Sequence, residues 1–178
     1  RYFDGRLSDA GVDVKLGQMV GLEELQGFDA VVLATGVKPR ELSFDGADHA
    51  KVLSYVDVLK GAPVGEKVAI IGAGGIGFDV AEFLTHVDHG EGPNLEDFLA
   101  EWGIDETHQT RGGLVPAKQA SSPRQVTLMQ RRKGKLGAGL GKTTGWIHRA
   151  QLKKRGVTML AEVAYDKVDD AGLHIQVA

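Results

Sequence analysis

The stretch Lys67–Leu84, KVAIIGAGGIGFDVAEFL, constrains the fold more than any other part of the chain. Its apolar opening, Val68 to Ile71, has the pattern of a buried strand, and the apolar residues Val80, Phe83, Leu84 and Val87 repeat at helical spacing. Between them stand Gly72, Ala73, Gly74, Gly75, Ile76 and Gly77, with glycines in the order G-x-G-x-x-G. In the sequence strand, glycine turn, helix, Gly72 permits a tight turn and Gly74 lets a diphosphate approach the backbone. Gly77 lets the helix pack close to the strand. The first-turn amides of the helix and its dipole are then aimed at two phosphates. A glycine-rich turn that holds no ligand is the plain alternative.

A carboxylate at the end of the second strand would bind the ribose hydroxyls of NAD. Here the strand pattern RQVTLMQ resumes only after a polar excursion over residues 88–123, and it ends in Gln130, Arg131 and Arg132. A guanidinium in that place pairs with a 2′-phosphate, so NADP(H) is expected, with a solvated basic turn as the alternative. The loop that follows, KLGAGLGKTTG, resembles a triphosphate-binding loop at first sight. That loop needs G-x-x-x-x-G-K-[ST], and counting back from Gly141 puts Leu136 where the first glycine belongs. ATP or GTP binding is therefore not expected. Lys133, Lys142 and Thr143 instead flank the adenosine end of a dinucleotide, with Lys142 a candidate phosphate ligand.

The other segments fit an α/β chain. Tyr2–Asp9 suits the last turns of a helix stopped by Gly11, VDVKL suits a strand, and Ala30–Ala34 suits a buried strand ending in Thr35, Gly36 and, soon after, Pro39. KVLSYVDVLKG reads as a short strand and helix, and the turn residues APVGE suggest a domain boundary near Ala62. NLEDFLAEWG is helical inside the polar excursion. TTGWIHRAQLKKRG is a helix with Thr143 or Thr144 as N-cap and Gly156 as stop, and the strands VTMLAEV, AYDKV and LHIQV follow, the last two joined by DDAG.

Composition narrows the function. Zero cysteines exclude thiol redox chemistry and cysteine-held metals in this stretch, and a net charge of −3 offers no general attraction for nucleic acid. No apolar run is long enough to span a membrane, so the chain reads as soluble and a cytoplasmic place is expected. Both ends read as cut from a longer protein. His86, His89 and His108 lack metal-ligand spacing, and no metal site is expected. On GWIHRAQL, Trp146 reads as a packed indole and His148 as a surface imidazole. Asp79 and Glu82 read as dipole partners or surface charges. No catalytic residue is assigned.

KVLSYVDVLKGAPVGEKVAIIGAGGIGFDVAEFL, EWGID, SSPRQVTLMQRR and GLGKTTGWIHR together resemble the C-terminal half of bacterial NADPH-dependent 2,4-dienoyl-CoA reductases, old yellow enzyme-like flavoproteins of fatty acid β-oxidation. The resemblance implies residues 1–62 as part of a Rossmann-like FAD domain, in which Ala34, Thr35 and Gly36 run past FAD. It implies residues 63–178 as a Rossmann-like NADP(H) domain: a parallel sheet flanked by helices, with a β-meander, lacking its last strand. In the family, hydride passes from NADPH to FAD and electrons go on through a four-iron cluster to FMN, which reduces the dienoyl thioester. FMN, the cluster and the flavin barrel belong to parts of the family chain not represented here, so this stretch is expected to bind cofactors without turning over. A related flavin oxidoreductase with another substrate, and a nucleotide-sensing module without electron transfer, remain open.

Overall fold

A computed structural model describes residues 1–86, 94–118 and 121–178. Val87 and His89 lie outside the described residues. The chain divides into two compact units, Arg1–Pro39 and Arg40–Ala178. This division falls earlier in the chain than the turn residues near Ala62.

The first unit contains one helix, α1 (Tyr2–Asp9), which has no buried residue. Gly11 adopts φ +67°, and its N–H donates to the Ser8 carbonyl while Val12 N–H reaches Leu7, so the expected glycine stop is present. The two expected strands are not. VDVKL and Ala30–Ala34 carry no ladder hydrogen bonds, and Val32 and Leu33 are 87% and 80% exposed. An apolar run becomes a strand only by pairing its N–H and C=O groups with a neighbouring backbone, and this unit has no strand to supply one.

The second unit begins with a segment that turns through Gly46 into α2 (Tyr55–Leu59), capped by Ser54 Oγ, which accepts from Asp57 N–H at 3.1 Å. Only this helix forms from KVLSYVDVLKG; the short strand expected before it does not. A three-stranded parallel sheet follows, from β1 (Lys67–Ile71), β2 (Gln125–Met129) and β3 (Thr158–Leu160), in the order β1-β2-β3. Between β1 and β2 come α3 (Gly75–Thr85) and, in the polar excursion, α4 (Leu95–Trp102); between β2 and β3 comes α5 (Gly145–Lys154). The register sets Ile70 beside Leu128 and Leu128 beside Met159. Alternation then gathers Val68, Ile70, Val126, Leu128 and Met159 on one face, where they pack with Phe78, Ala81 and Leu84 of α3 and Leu152 of α5. Phe78, Leu128 and Leu152 are fully buried; each contributes about 1.5–3 kcal/mol from removal of apolar surface.

Three details depart from the sequence pattern. Phe83 is half exposed, and Phe78 takes the buried place on α3. VTMLAEV pairs only over Thr158–Leu160, because Glu162 turns the chain at φ +57° before the next strand. Thr144 stands at the N-cap of α5 without a side-chain cap hydrogen bond.

Strands β4 (Val163–Asp169) and β5 (Gly172–Val177) form an antiparallel hairpin closed by the Asp169–Gly172 pair. Val168 N–H donates to the Asp45 carbonyl at 2.9 Å, which adds residues near Gly46 to its edge. A Cβ at Gly46, where φ is +73°, would collide with the Val168 carbonyl. No described helix is long and apolar enough to cross a membrane.

Candidate functional site

The two outer ends of the glycine motif meet different surroundings. Gly72 has φ +109°, in the region that favours glycine, and its N–H donates to the Met129 carbonyl at 2.9 Å. A Cβ on Gly77 would lie 1.9 Å from the Gly72 carbonyl oxygen, so only glycine lets α3 come this close to the turn. Gly74 is the N-cap of α3, and around Gly74 and Gly75 a Cβ would meet nothing within 4 Å. No side chain caps this helix, and no acidic residue lies in its first turn. Its leading N–H groups have no intrahelical acceptor, and open space in front of them suits an anion. The residues present therefore fit a diphosphate.

Strands β1 and β2 run in register to Ile71 and Met129, so the glycine turn and Gln130 leave the sheet at the same carboxyl edge. Gln130 N–H donates to the Leu160 carbonyl at 3.0 Å, and Val163 N–H donates to the Gln130 carbonyl at 3.1 Å. The edge is thereby closed on β3 and the hairpin. Open α/β sheets bind ligands outside these carboxyl ends.

The expected basic turn lies here. Arg131 and Arg132 are exposed. The Gln130 side chain, expected to touch cofactor, donates from Nε2 to the carbonyls of Arg132 at 3.0 Å and Gly134 at 3.1 Å, folding the turn on itself. Burial raises the Tyr165 hydroxyl pKa while the Arg131 charge lowers it, so this guanidinium lies within electrostatic reach of β4. The Tyr165 hydroxyl is buried without a hydrogen-bond partner among the described residues. Lys133 is 4.0 Å from Glu162, and Lys142 is exposed.

The loop between β2 and α5 is packed down. Leu136 belongs to the core, 6% exposed, and Leu140 packs against the same cluster. At Gly137, φ +67°, a Cβ would come 2.8 Å from the Phe78 ring. Phe78 N–H donates to the Gly74 carbonyl at 3.1 Å, so the loop rests on the helical turn that presents the amides.

Other side chains read from sequence take different places. Trp146, expected to pack, is 62% exposed. His148, expected at the surface, is half-buried with Nδ1 2.8 Å from Glu82 Oε1, which ties α5 to α3. Neither expectation took account of which face of α5 meets α3. Asp79 is exposed and, like Glu82, stands beyond the first turn of α3, so neither complements its dipole. Ala34, Thr35 and Gly36 are exposed in the first unit, outside any strand, and no buried floor surrounds them.

Sequence reasoning missed Asp105 and Arg155. Asp105 is buried and accepts from the N–H and hydroxyl of both Thr107 and Thr110. Those hydrogen bonds, Thr107's foremost, hold its carboxyl well below the usual carboxylate range. Arg155 donates from Nη1 to the Glu82 carbonyl and sets Nη2 3.3 Å from Glu101, fastening α4 to the helices on the sheet. D-x-T-x-x-T spacing was the available sign of the first; the second spans elements distant in sequence and had none.

Residues 3–178 match the protein family described as pyridine nucleotide-disulphide oxidoreductase. A protein named cinnamate reductase, from Clostridium sporogenes, is 45% identical over 87 residues, covering 47% of this chain and 13% of that protein. A metal reductase from Desulforamulus reducens is 25% identical over 182 aligned residues, covering 98% of this chain and 26% of that protein. A solved 2-naphthoyl-CoA reductase complexed with 2-naphthoyl-CoA is similar with a TM-score of 0.65 at 22% identity, over 99% of this chain and 22% of that one. This structural likeness bears on fold. The chain spans 13% and 26% of the lengths of the two curated relatives.

Proposed function

The chain belongs to the pyridine nucleotide-disulphide oxidoreductase family, and from that premise we propose that it is the NADPH-binding portion of a multi-cofactor flavin oxidoreductase. With no cysteine, it has no residue for a thiol–disulphide step of its own. The observation that carries the reading is the shared edge: Gly72 N–H bonds Met129 O, so the turn before α3 and the basic turn after β2 stand side by side.

In this reading Gly72, Ala73, Gly74, Gly75, Ile76 and Gly77 hold the diphosphate, while Arg131 and Arg132, with Gln130 and Lys142, hold the adenosine phosphate end. Ala34, Thr35 and Gly36 run past FAD, and the FAD and NADP(H) portions divide near Ala62. When bound, NADPH would supply a hydride to FAD; this chain's residues would bind and orient the two, and none is assigned a catalytic step. The intact enzyme reduces a 2,4-dienoyl-CoA thioester with FMN and a four-iron cluster in a flavin barrel outside these residues. Its place is cytoplasmic. The motif resemblance across the chain supports this substrate.

A second reading, a related NAD(P)H-dependent flavin oxidoreductase with another substrate, is favoured by the relative named cinnamate reductase. Substrate profiling of the intact enzyme separates the two.

The cofactor reading is tested by titrating the intact protein with NADPH and NADH. Replacing Arg131 and Arg132 together by Ala should weaken NADPH by about tenfold or more, since hydrogen bonds to charged groups contribute about 1.5–3 kcal/mol, and leave NADH nearly unchanged. An unaltered preference for NADPH would remove the basis of the proposal.

A further inference from the structure

The basic turn that would choose between NADPH and NADH is braced at two points. At its start the Gln130 amide donates to the carbonyls of Arg132 and Gly134. Farther along, the Gly137 carbonyl accepts Arg149 Nη1 at 3.1 Å as well as Leu140 N–H at 3.1 Å. Arg149 is half-buried on α5, a helix anchored in the core through Leu152. Its guanidinium reaches back from that helix to the loop preceding it. The carbonyl it holds belongs to the glycine pressed against Phe78, in the first turn of α3. A single arginine thus links the frame of α5 to the loop at the point where the loop meets the phosphate-facing helix.

Resting on the NADPH reading above, we infer that Arg149 is a positioning residue for cofactor selectivity. It fixes the loop at Gly137, between the exposed cations Arg131 and Arg132 on one side and Lys142 on the other, at a set distance from the amides of α3. A 2′-phosphate is a small, strongly directional target, and a cation carried on a loose loop gives up binding energy to ordering. The diphosphate, held by the first turn of α3, does not depend on the loop in the same way. Loss of the brace should therefore weaken the dinucleotide that carries the 2′-phosphate and spare the one that lacks it. A role confined to stability would weaken both alike.

The test is the ratio of NADPH to NADH dissociation constants in the intact protein, measured by calorimetric titration. Arg149→Met removes the donor and should weaken NADPH by about tenfold with NADH changed by less than about twofold, the size expected when one charge-assisted hydrogen bond is lost. Arg149→Lys, which keeps one donor to the Gly137 carbonyl, should retain most of the wild-type ratio, and Arg149→Gln, too short to reach that carbonyl, takes the place of Arg149→Met with the same expected outcome if Arg149→Met does not fold. Equal weakening of both nucleotides overturns the inference. So does an unchanged ratio in Arg149→Met alongside a raised one in Arg131→Ala, which leaves the NADPH reading standing. If neither variant changes the ratio, both fall.

Discussion

Gly74 and Gly77 stand three residues apart, and a methyl group would meet opposite conditions at each. At Gly77 it would strike the Gly72 carbonyl, so Gly77→Ala should lower folding stability by about 1–3 kcal/mol in urea unfolding, the usual cost of overpacking. At Gly74 there is open space and φ is −85°, a value alanine adopts freely. Gly74→Ala should leave the unfolding midpoint unchanged while weakening NADPH by about tenfold, because the methyl group occupies room a diphosphate would need. Unaltered affinity in Gly74→Ala would count against the diphosphate reading even if Gly77→Ala behaved as expected. The crowding at Gly77 and the open space at Gly74 were legible in the sequence, since the spacing of glycines between strand and helix dictates them. The exposure of Trp146 and the pairing of His148 with Glu82 were not, because they depend on how α5 is rotated against α3.

Strands formed where an apolar run met a neighbouring strand to pair with, whereas α1 and α4 formed on local signals with no buried residue. α4 was foreseeable from Asn94, whose side chain accepts Glu96 N–H at 3.0 Å, and from Gly103, left-handed at φ +64°. α3 depends on Phe78, fully buried between the sheet and the β2–α5 loop; Phe78→Ala should cost about 3–5 kcal/mol in denaturant unfolding. Beyond α4 the chain is fastened at Asp105. Its proton affinity is depressed in the folded state, so its contribution is fully present above the unfolded carboxyl pKa of about 4 and is lost as pH falls through the lower folded value. Hydrogen-exchange protection of the Thr107 and Thr110 amides should therefore decline below about pH 4, while that of β2 amides holds. Parallel behaviour of the two sets would show that Asp105 does not govern the loop.

At the scale of the whole molecule, the two units differ in what they bury. Residues 125–129 lie between two neighbouring strands, whereas residues 30–34 are more apolar still and have no ladder at all. Backbone amides of Val31–Leu33 should exchange at nearly the rate of an unstructured peptide, and those of Val126–Met129 many orders more slowly, as mass spectrometry of exchanged peptides would reveal. The contrast marks the division between local and distant information. By itself the sequence determined the strand, glycine turn and helix of the dinucleotide motif, the helix stops at Gly11, Gly103 and Gly156, and the hairpin at Asp169–Gly172, because propensity, chirality and short-range hydrogen bonds act over a few residues. Only the tertiary structure decided which apolar runs became strands, that His148 pairs with Glu82, and that Arg149 braces Gly137. Each of these requires a partner group brought from elsewhere in the chain, and no spacing along one segment encodes where that partner will stand.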